Sequence, residues 1–125
     1  MKTDKPSILI VEDEELLRQA VSTALRKKGF SVIEARDGSA GMDLMRRHLE
    51  DINVILLDVT LPGRSSKEIL VEARRIRPDL KVILTSAYDR NTVDISFSGL
   101  PITHFIRKPF QLSDLTGVLQ DALSS

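Results

Sequence analysis

The chain has 125 residues, 42% hydrophobic and 29% charged, which is the size of one domain and enough interior for one core. Its 18 basic and 18 acidic side chains cancel, so no overall field draws it to nucleic acid or an anionic membrane, and any electrostatic function must come from local clusters. The absence of cysteine excludes disulfide scaffolds, thiolate metal sites and cysteine nucleophiles, and no apolar run approaches the roughly 18 residues of a membrane span or a signal-peptide core. The expectation is a soluble, unexported, cytoplasmic protein.

Ile8-Leu9-Ile10-Val11 is a short continuous apolar run, the pattern of a central parallel strand covered on both faces, and it ends in the acidic run Glu12 to Glu15. Leu16, Leu17, Ala20, Val21, Ala24 and Leu25 recur at helical spacing, and Gly29 closes that helix. Phe30 to Ala35 is a more mixed strand, as at a sheet edge, and Ala40, Leu44, Met45 and Leu49 mark a second helix. Val54-Ile55-Leu56-Leu57 is again a central strand and stops at Asp58. Ser65 with Glu68 reads as a capping box for a third helix, carried by Ile69, Leu70, Ala73 and Ile76 and stopped by Pro78. Val82-Ile83-Leu84 leads to Ser86. Residues 89–101 should hold a fourth helix, which Thr92, Val93, Ile95, Ser96, Ser98 and Gly99 make weak. Ile102 to Ile106 is a second edge-like strand running to Lys108-Pro109, and Leu112, Leu115, Val118, Leu119, Ala122 and Leu123 form the last helix.

Five strands alternating with helices predict right-handed crossovers and a doubly wound parallel α/β sheet, in which ligands bind beyond the carboxyl ends of the strands. With no repeat, low-complexity segment or linker, residues 1–125 are expected to be a single domain. Glu12-Asp13, Asp58, Ser86 and Lys108-Pro109 stand at the ends of strands one, three, four and five, facing one crevice. Carboxylates gathered there repel: at an effective dielectric near 20, two unit charges ~4 Å apart cost about 4 kcal/mol, so a proton or a cation must relieve them. Oxygen donors without His or Cys favour a hard ion such as Mg²⁺. Lys108 would further hold Asp58 ionised. An ionised Asp beside Mg²⁺ and Lys is equipped to attack phosphorus, since phosphoryl transfer depends on positioning and on neutralising the equatorial oxygens.

On Ile8-Leu9-Ile10-Val11-Glu12-Asp13-Glu14, Leu57-Asp58-Val59-Thr60-Leu61-Pro62-Gly63, Thr85-Ser86-Ala87 and Arg107-Lys108-Pro109-Phe110, in that order and near that spacing, the sequence resembles the receiver domains of two-component response regulators over nearly its whole length. The resemblance implies a flavodoxin-like (βα)5 fold with strand order 2-1-3-4-5. It implies that Asp58 is the phosphoacceptor, Asp13 a direct Mg²⁺ ligand, Glu12 an acidic partner acting through water, and Thr60 a donor of its backbone carbonyl. Ser86 and Lys108 would contact the phosphoryl group, Ser86 and Phe105 would form the activation switch, and the Lys108-Pro109 bond would be cis. Glu12 and Ser86 replace the more frequent Asp and Thr, keeping the functional group while changing reach. Gly99-Leu100-Pro101 stands where many members carry a Gly-Ala pair. By the same resemblance the protein is a phosphoacceptor signalling domain rather than an enzyme. Its partners would be a histidine kinase or histidine phosphotransfer domain and a downstream protein at the face of helix 4, strand 5 and helix 5, with no direct contact to nucleic acid or membrane. Neither Met1 nor the tail Leu123-Ser124-Ser125 separates a free-standing regulator from a receiver of a hybrid histidine kinase.

Each motif alone has a plainer account. Asp13-Glu14-Glu15 could cap the first helix, Asp58 could be a turn residue, Ser86 a satisfied hydroxyl, Lys108-Pro109 a loop and Phe105 ordinary packing. It is their convergence on one crevice that favours chemistry. His48 and His104 have no partner at relay or metal-ligand spacing and read as surface or satisfied histidines. Gly63-Arg64-Ser65-Ser66-Lys67 lacks the order of a phosphate loop. A flavodoxin-like electron carrier is the competing class, but four acidic residues follow the first strand where a flavin phosphate would sit, and the chain has only Tyr88 and four Phe for stacking. A phosphorylation-independent interaction module should show a gap at one of the acidic, acceptor, hydroxyl or lysine positions, and none is visible.

Overall fold

Each apolar run becomes a strand and each helical pattern a helix in the computed structural model, which describes residues 5–61, 63–97 and 100–124, with Asp94, Ile95 and Ser96 by backbone alone. Met1, Pro62, Ser98, Gly99 and Ser125 of the sequence reading lie outside the described residues, as do the side chains of Ile95 and Ser96. The order is β1 (Ser7–Val11), α1 (Glu15–Lys27), β2 (Ser31–Ala35), α2 (Gly38–Arg47), β3 (Val54–Asp58), α3 (Ser66–Ile76), β4 (Lys81–Ser86), α4 (Arg90–Phe97), β5 (His104–Arg107) and α5 (Leu112–Ser124). All four strand pairings are parallel, in the order β2-β1-β3-β4-β5, so the two mixed strands are indeed the edges.

The sheet is covered on both sides because its central strands are apolar on both faces. On one face Ile8, Ile10, Val54, Leu56 and Ile83 pack with Val21 and Leu25 of α1 and Leu115 and Leu119 of α5. On the other, Leu9, Ile55, Leu57, Val82 and Leu84 pack with α2, α3 and α4 through Met42, Met45, Ile69, Leu70, Val93 and Phe97. Full burial of each such side chain contributes about 1.5–3 kcal/mol, the stabilisation against which charge gathered at the strand ends is tolerated.

Helix ends follow the local chemistry. Gly29 takes φ +96° just beyond α1, a left-handed conformation that glycine adopts without steric cost. Ser65 Oγ accepts the Glu68 amide at 3.1 Å, while the Glu68 carboxylate takes the Ser65 hydroxyl rather than its amide, so only half of the expected capping box forms. The eight residues of α4 hold to the sheet by Val93 and Phe97, both buried. The Lys108-Pro109 bond is cis. No described helix is long and apolar enough to cross a membrane.

Candidate functional site

The pleat decides which strand-end residues meet. Alternate residues Ile8 and Ile10 on β1, Val54 and Leu56 on β3, and Ile106 on β5 face α1 and α5. Continuing that alternation past the strands puts Glu12, Asp58 and Lys108 on the same side. The Lys108 ammonium accordingly stands 2.6 Å from Glu12 Oε1 and 3.3 Å from Asp58 Oδ2, although 96 residues separate Lys108 from Glu12. Glu12 and Asp58 are buried, 5% and 6% exposed, whereas Asp13 is exposed. One carboxylate oxygen from each of the three lies within 4.8 Å of the others.

Backbone donors fix the two buried acids. Thr60 N–H donates to Asp58 Oδ1 at 3.2 Å, and Glu14 N–H donates to Glu12 Oε2 at 3.0 Å. Helix capping does not account for the acidic run, because the N-cap of α1 is Glu14 and its side chain makes no capping hydrogen bond. Burial is the chief reason that the Asp58 carboxyl is pushed up to about 7; the Glu12 charge adds to it, and Lys108 with the Thr60 amide offset only part. Lys108 is raised: burial by itself would lower it, but the hydrogen bond it donates to Glu12 and the charges of Asp58 and Glu12 outweigh that. Without a further cation the Asp58 carboxyl is thus harder to ionise than an ordinary aspartate. An all-oxygen donor set with two buried carboxylates under mutual repulsion suits a hard divalent ion, which would discharge the proton from Asp58.

Ser86 lies one residue beyond Thr85, the register partner of Asp58. Its hydroxyl is buried and accepts the Tyr88 amide at 2.9 Å. By the same alternation Ser86 shares the face of Leu84, whose partner across β4 and β5 is Phe105. Phe105 is half-buried against the cluster containing Leu84, Val93 and Phe97, so any inward turn starts from a ring already packed in part rather than from an exposed one. Thr60 is exposed beside Asp58, and Tyr88 is exposed. His48 is half-buried, and His104, half-buried at the start of β5, has its Nδ1 buried without a hydrogen-bond partner, so it is neither a surface nor a fully satisfied histidine. The edge strand, not the side chain's own bonding, places it there.

Two residues escaped the sequence reading. Arg18 donates to the Glu12 carbonyl at 3.0 Å and to Glu34 Oε1 at 3.3 Å, tying the end of β1 to β2. A cation one turn after an acidic run, inside an apolar helical stripe, was the available signal. Ser66 donates to the carbonyls of Asp58 and of Val59, the latter at 2.9 Å, and nothing in its local pattern marks it.

Residues 8–120 match the family model described as the response regulator receiver domain. The cyclic di-GMP phosphodiesterase of Thermotoga maritima is 33% identical over 94% of this chain and 31% of its own length. The aerobic respiration control protein ArcA of Escherichia coli K12 is 33% identical over 95% of this chain and 49% of its own. The chain therefore spans under half the length of these curated relatives. Among solved structures, the response regulator TrrA of Thermotoga maritima in complex with Mg²⁺-BeF superposes with a TM-score of 0.79 at 26% identity, covering 94% of this chain and 98% of that one.

Proposed function

The chain belongs to the response regulator receiver domain family and is a signalling domain of two-component systems, and from that premise we propose that it accepts a phosphoryl group on Asp58 in a Mg²⁺-dependent reaction. The observation that carries this reading is the Lys108 ammonium held between Glu12 and Asp58, at 2.6 and 3.3 Å, beside three carboxylates within reach of one ion. Asp13 and Asp58, with Glu12 through water and the Thr60 carbonyl, would hold the ion, which when bound neutralises charge on the phosphoryl oxygens. An ionised Asp58 oxygen forms the new P–O bond as the donor's P–N bond breaks, and the departing imidazole takes its proton from solvent. Lys108 pairs with a phosphoryl oxygen as negative charge develops, and Ser86 donates its hydroxyl to another. The donor is a histidine kinase or histidine phosphotransfer domain. The TrrA complex with Mg²⁺-BeF supports the reading by likeness alone.

On this reading residues 1–125 are one receiver domain, cytoplasmic and not itself an enzyme beyond assisting its own phosphorylation and dephosphorylation. Its output is a change in the face formed by α4, β5 and α5, where a protein partner binds. The flavin carrier has no support at the end of β1, where buried Glu12 and exposed Asp13 would repel a metal-free phosphate monoester. The test is incubation with acetyl phosphate and Mg²⁺, read by intact mass. Wild type should gain one phosphoryl group; Asp58→Asn, whose amide is a poor nucleophile, and Mg²⁺-free protein should gain none. Label on His48, His104 or a serine defeats the assignment.

A further inference from the structure

Past Asp58 the chain leaves the sheet, yet its backbone is not free. The Val59 amide still pairs with the Thr85 carbonyl at 2.9 Å, and the carbonyls of Asp58 and Val59 both lie within reach of the start of α3. Both are taken by one side chain: the hydroxyl of Ser66, the first residue of α3 and only 2% exposed, donates to Val59 O at 2.9 Å and to Asp58 O. A hydroxyl has one proton, so the two carbonyls share it, and a buried carbonyl without it would lack a partner. The hydroxyl is a fixed point because Ile69, Leu70 and Ala73 seat α3 in the core. The far end of the same loop is held as closely. A Cβ at Gly38 would come within 1.6 Å of the Arg64 carbonyl oxygen, so the loop lies against the start of α2 with no space to slide toward it.

Between these two anchors runs the segment that carries Thr60, whose amide donates to Asp58 Oδ1 at 3.2 Å. We propose that Ser66 is a positioning residue for the phosphoacceptor: its hydroxyl holds the Asp58–Thr60 backbone so that the Asp58 carboxylate and the Thr60 carbonyl are set together for the metal ion. This rests on the proposed phosphoacceptor reading. Loss of the hydroxyl removes no apolar packing but leaves the two carbonyls short of a donor, so some stability is lost as well and the local readouts at Thr60 and the ion separate the site from the fold.

The experiment compares wild type with Ser66→Ala, Ser66→Thr and Ser65→Ala by amide exchange in the metal-free protein and by Mg²⁺ titration followed through amide shifts. In Ser66→Ala the Thr60 amide should exchange about tenfold faster and Mg²⁺ should bind about fivefold to tenfold more weakly, the scale of one net hydrogen bond. Ser66→Thr keeps the hydroxyl and should return both readouts toward wild type. Ser65→Ala removes the cap on the Glu68 amide at the same helix start and should lower thermal stability while leaving both readouts unchanged. If Ser66→Ala matches wild type, or Ser65→Ala reproduces its effects, Ser66 is only part of a helix start and the inference is overturned. A wild-type protein that binds no Mg²⁺ at Asp13 and Asp58 overturns the proposed function and this inference with it.

Discussion

At the β1–β3 side of the crevice, buried Glu12 and Asp58 and half-buried Lys108 are fastened by ion pairs of 2.6 and 3.3 Å and by backbone amides. At the β4–β5 side, Ser86 holds a single amide and Phe105 is half-buried beside an eight-residue helix. The first arrangement resists movement because displacing any one charge leaves another buried and unpaired. The second has little to lose, since one hydroxyl rotation and one ring rotation change its surface. The proposed function asks for opposite stiffness at a reacting Asp58 and at a reporting Ser86 and Phe105, and the two sides of the crevice differ in that sense.

The largest expected effect comes from breaking the stiff side. Lys108→Ala removes the cation from both carboxylates and should slow phosphorylation by acetyl phosphate roughly 100-fold, the scale for loss of one charged donor, while any label stays on Asp58. A rate within twofold of wild type would show that Lys108 only neutralises the resting site.

Next is the cost of holding Asp58 where it is. An ordinary aspartate titrates at 3.8, and Asp58 in the fold at about 7. Between those values the folded chain keeps a proton that the unfolded chain has lost, so the metal-free protein should lose stability as pH rises from about 4 to 7. Asp58→Asn has nothing to ionise. At pH 8 it should exceed metal-free wild type by on the order of 2 kcal/mol in denaturant unfolding, and Mg²⁺ should narrow that gap by binding only wild type strongly. Identical pH profiles for the two proteins would mean that Asp58 is not under strain.

A smaller effect tests the pliant side. After beryllofluoride treatment, wild type should show amide shifts along residues 88–110, whereas Ser86→Ala should bind the mimic and respond mainly near Asp58, with the Phe105 ring unmoved. A full response without the hydroxyl would break the link between Ser86 and Phe105. Smallest is Gly117→Ala in α5, where a Cβ meets nothing within 4 Å. It should stabilise the protein by about 0.5–1 kcal/mol through helix propensity alone. No gain would show that this edge is limited by packing instead.

Much of this was legible in the residues. Apolar runs such as Val54 to Leu57 and the mixed runs at Phe30 and Ile102 marked central and edge strands, because burial on two faces leaves no polar position in a strand. The acidic, acceptor, hydroxyl and lysine positions were visible as strand-end residues. The parts that were not legible share one property: Arg18 and Ser66 act on backbone carbonyls across a turn between two elements, and such bonds leave no pattern in side-chain periodicity. The half-formed capping box at Ser65 and the partner-free Nδ1 of His104 were equally hidden, being settled by rotamer and by neighbours.

By itself, then, the order of apolar and polar residues determined five strands, five helices and which residues end the strands, since local spacing sets which faces can be buried. Only the tertiary structure decided that the Lys108 ammonium, 96 residues along the chain, lies 2.6 Å from Glu12, and that α3 reaches back to hold the carbonyl of Asp58. Parallel register and the pleat bring such groups to one side, and register is a property of strands in contact rather than of any one of them.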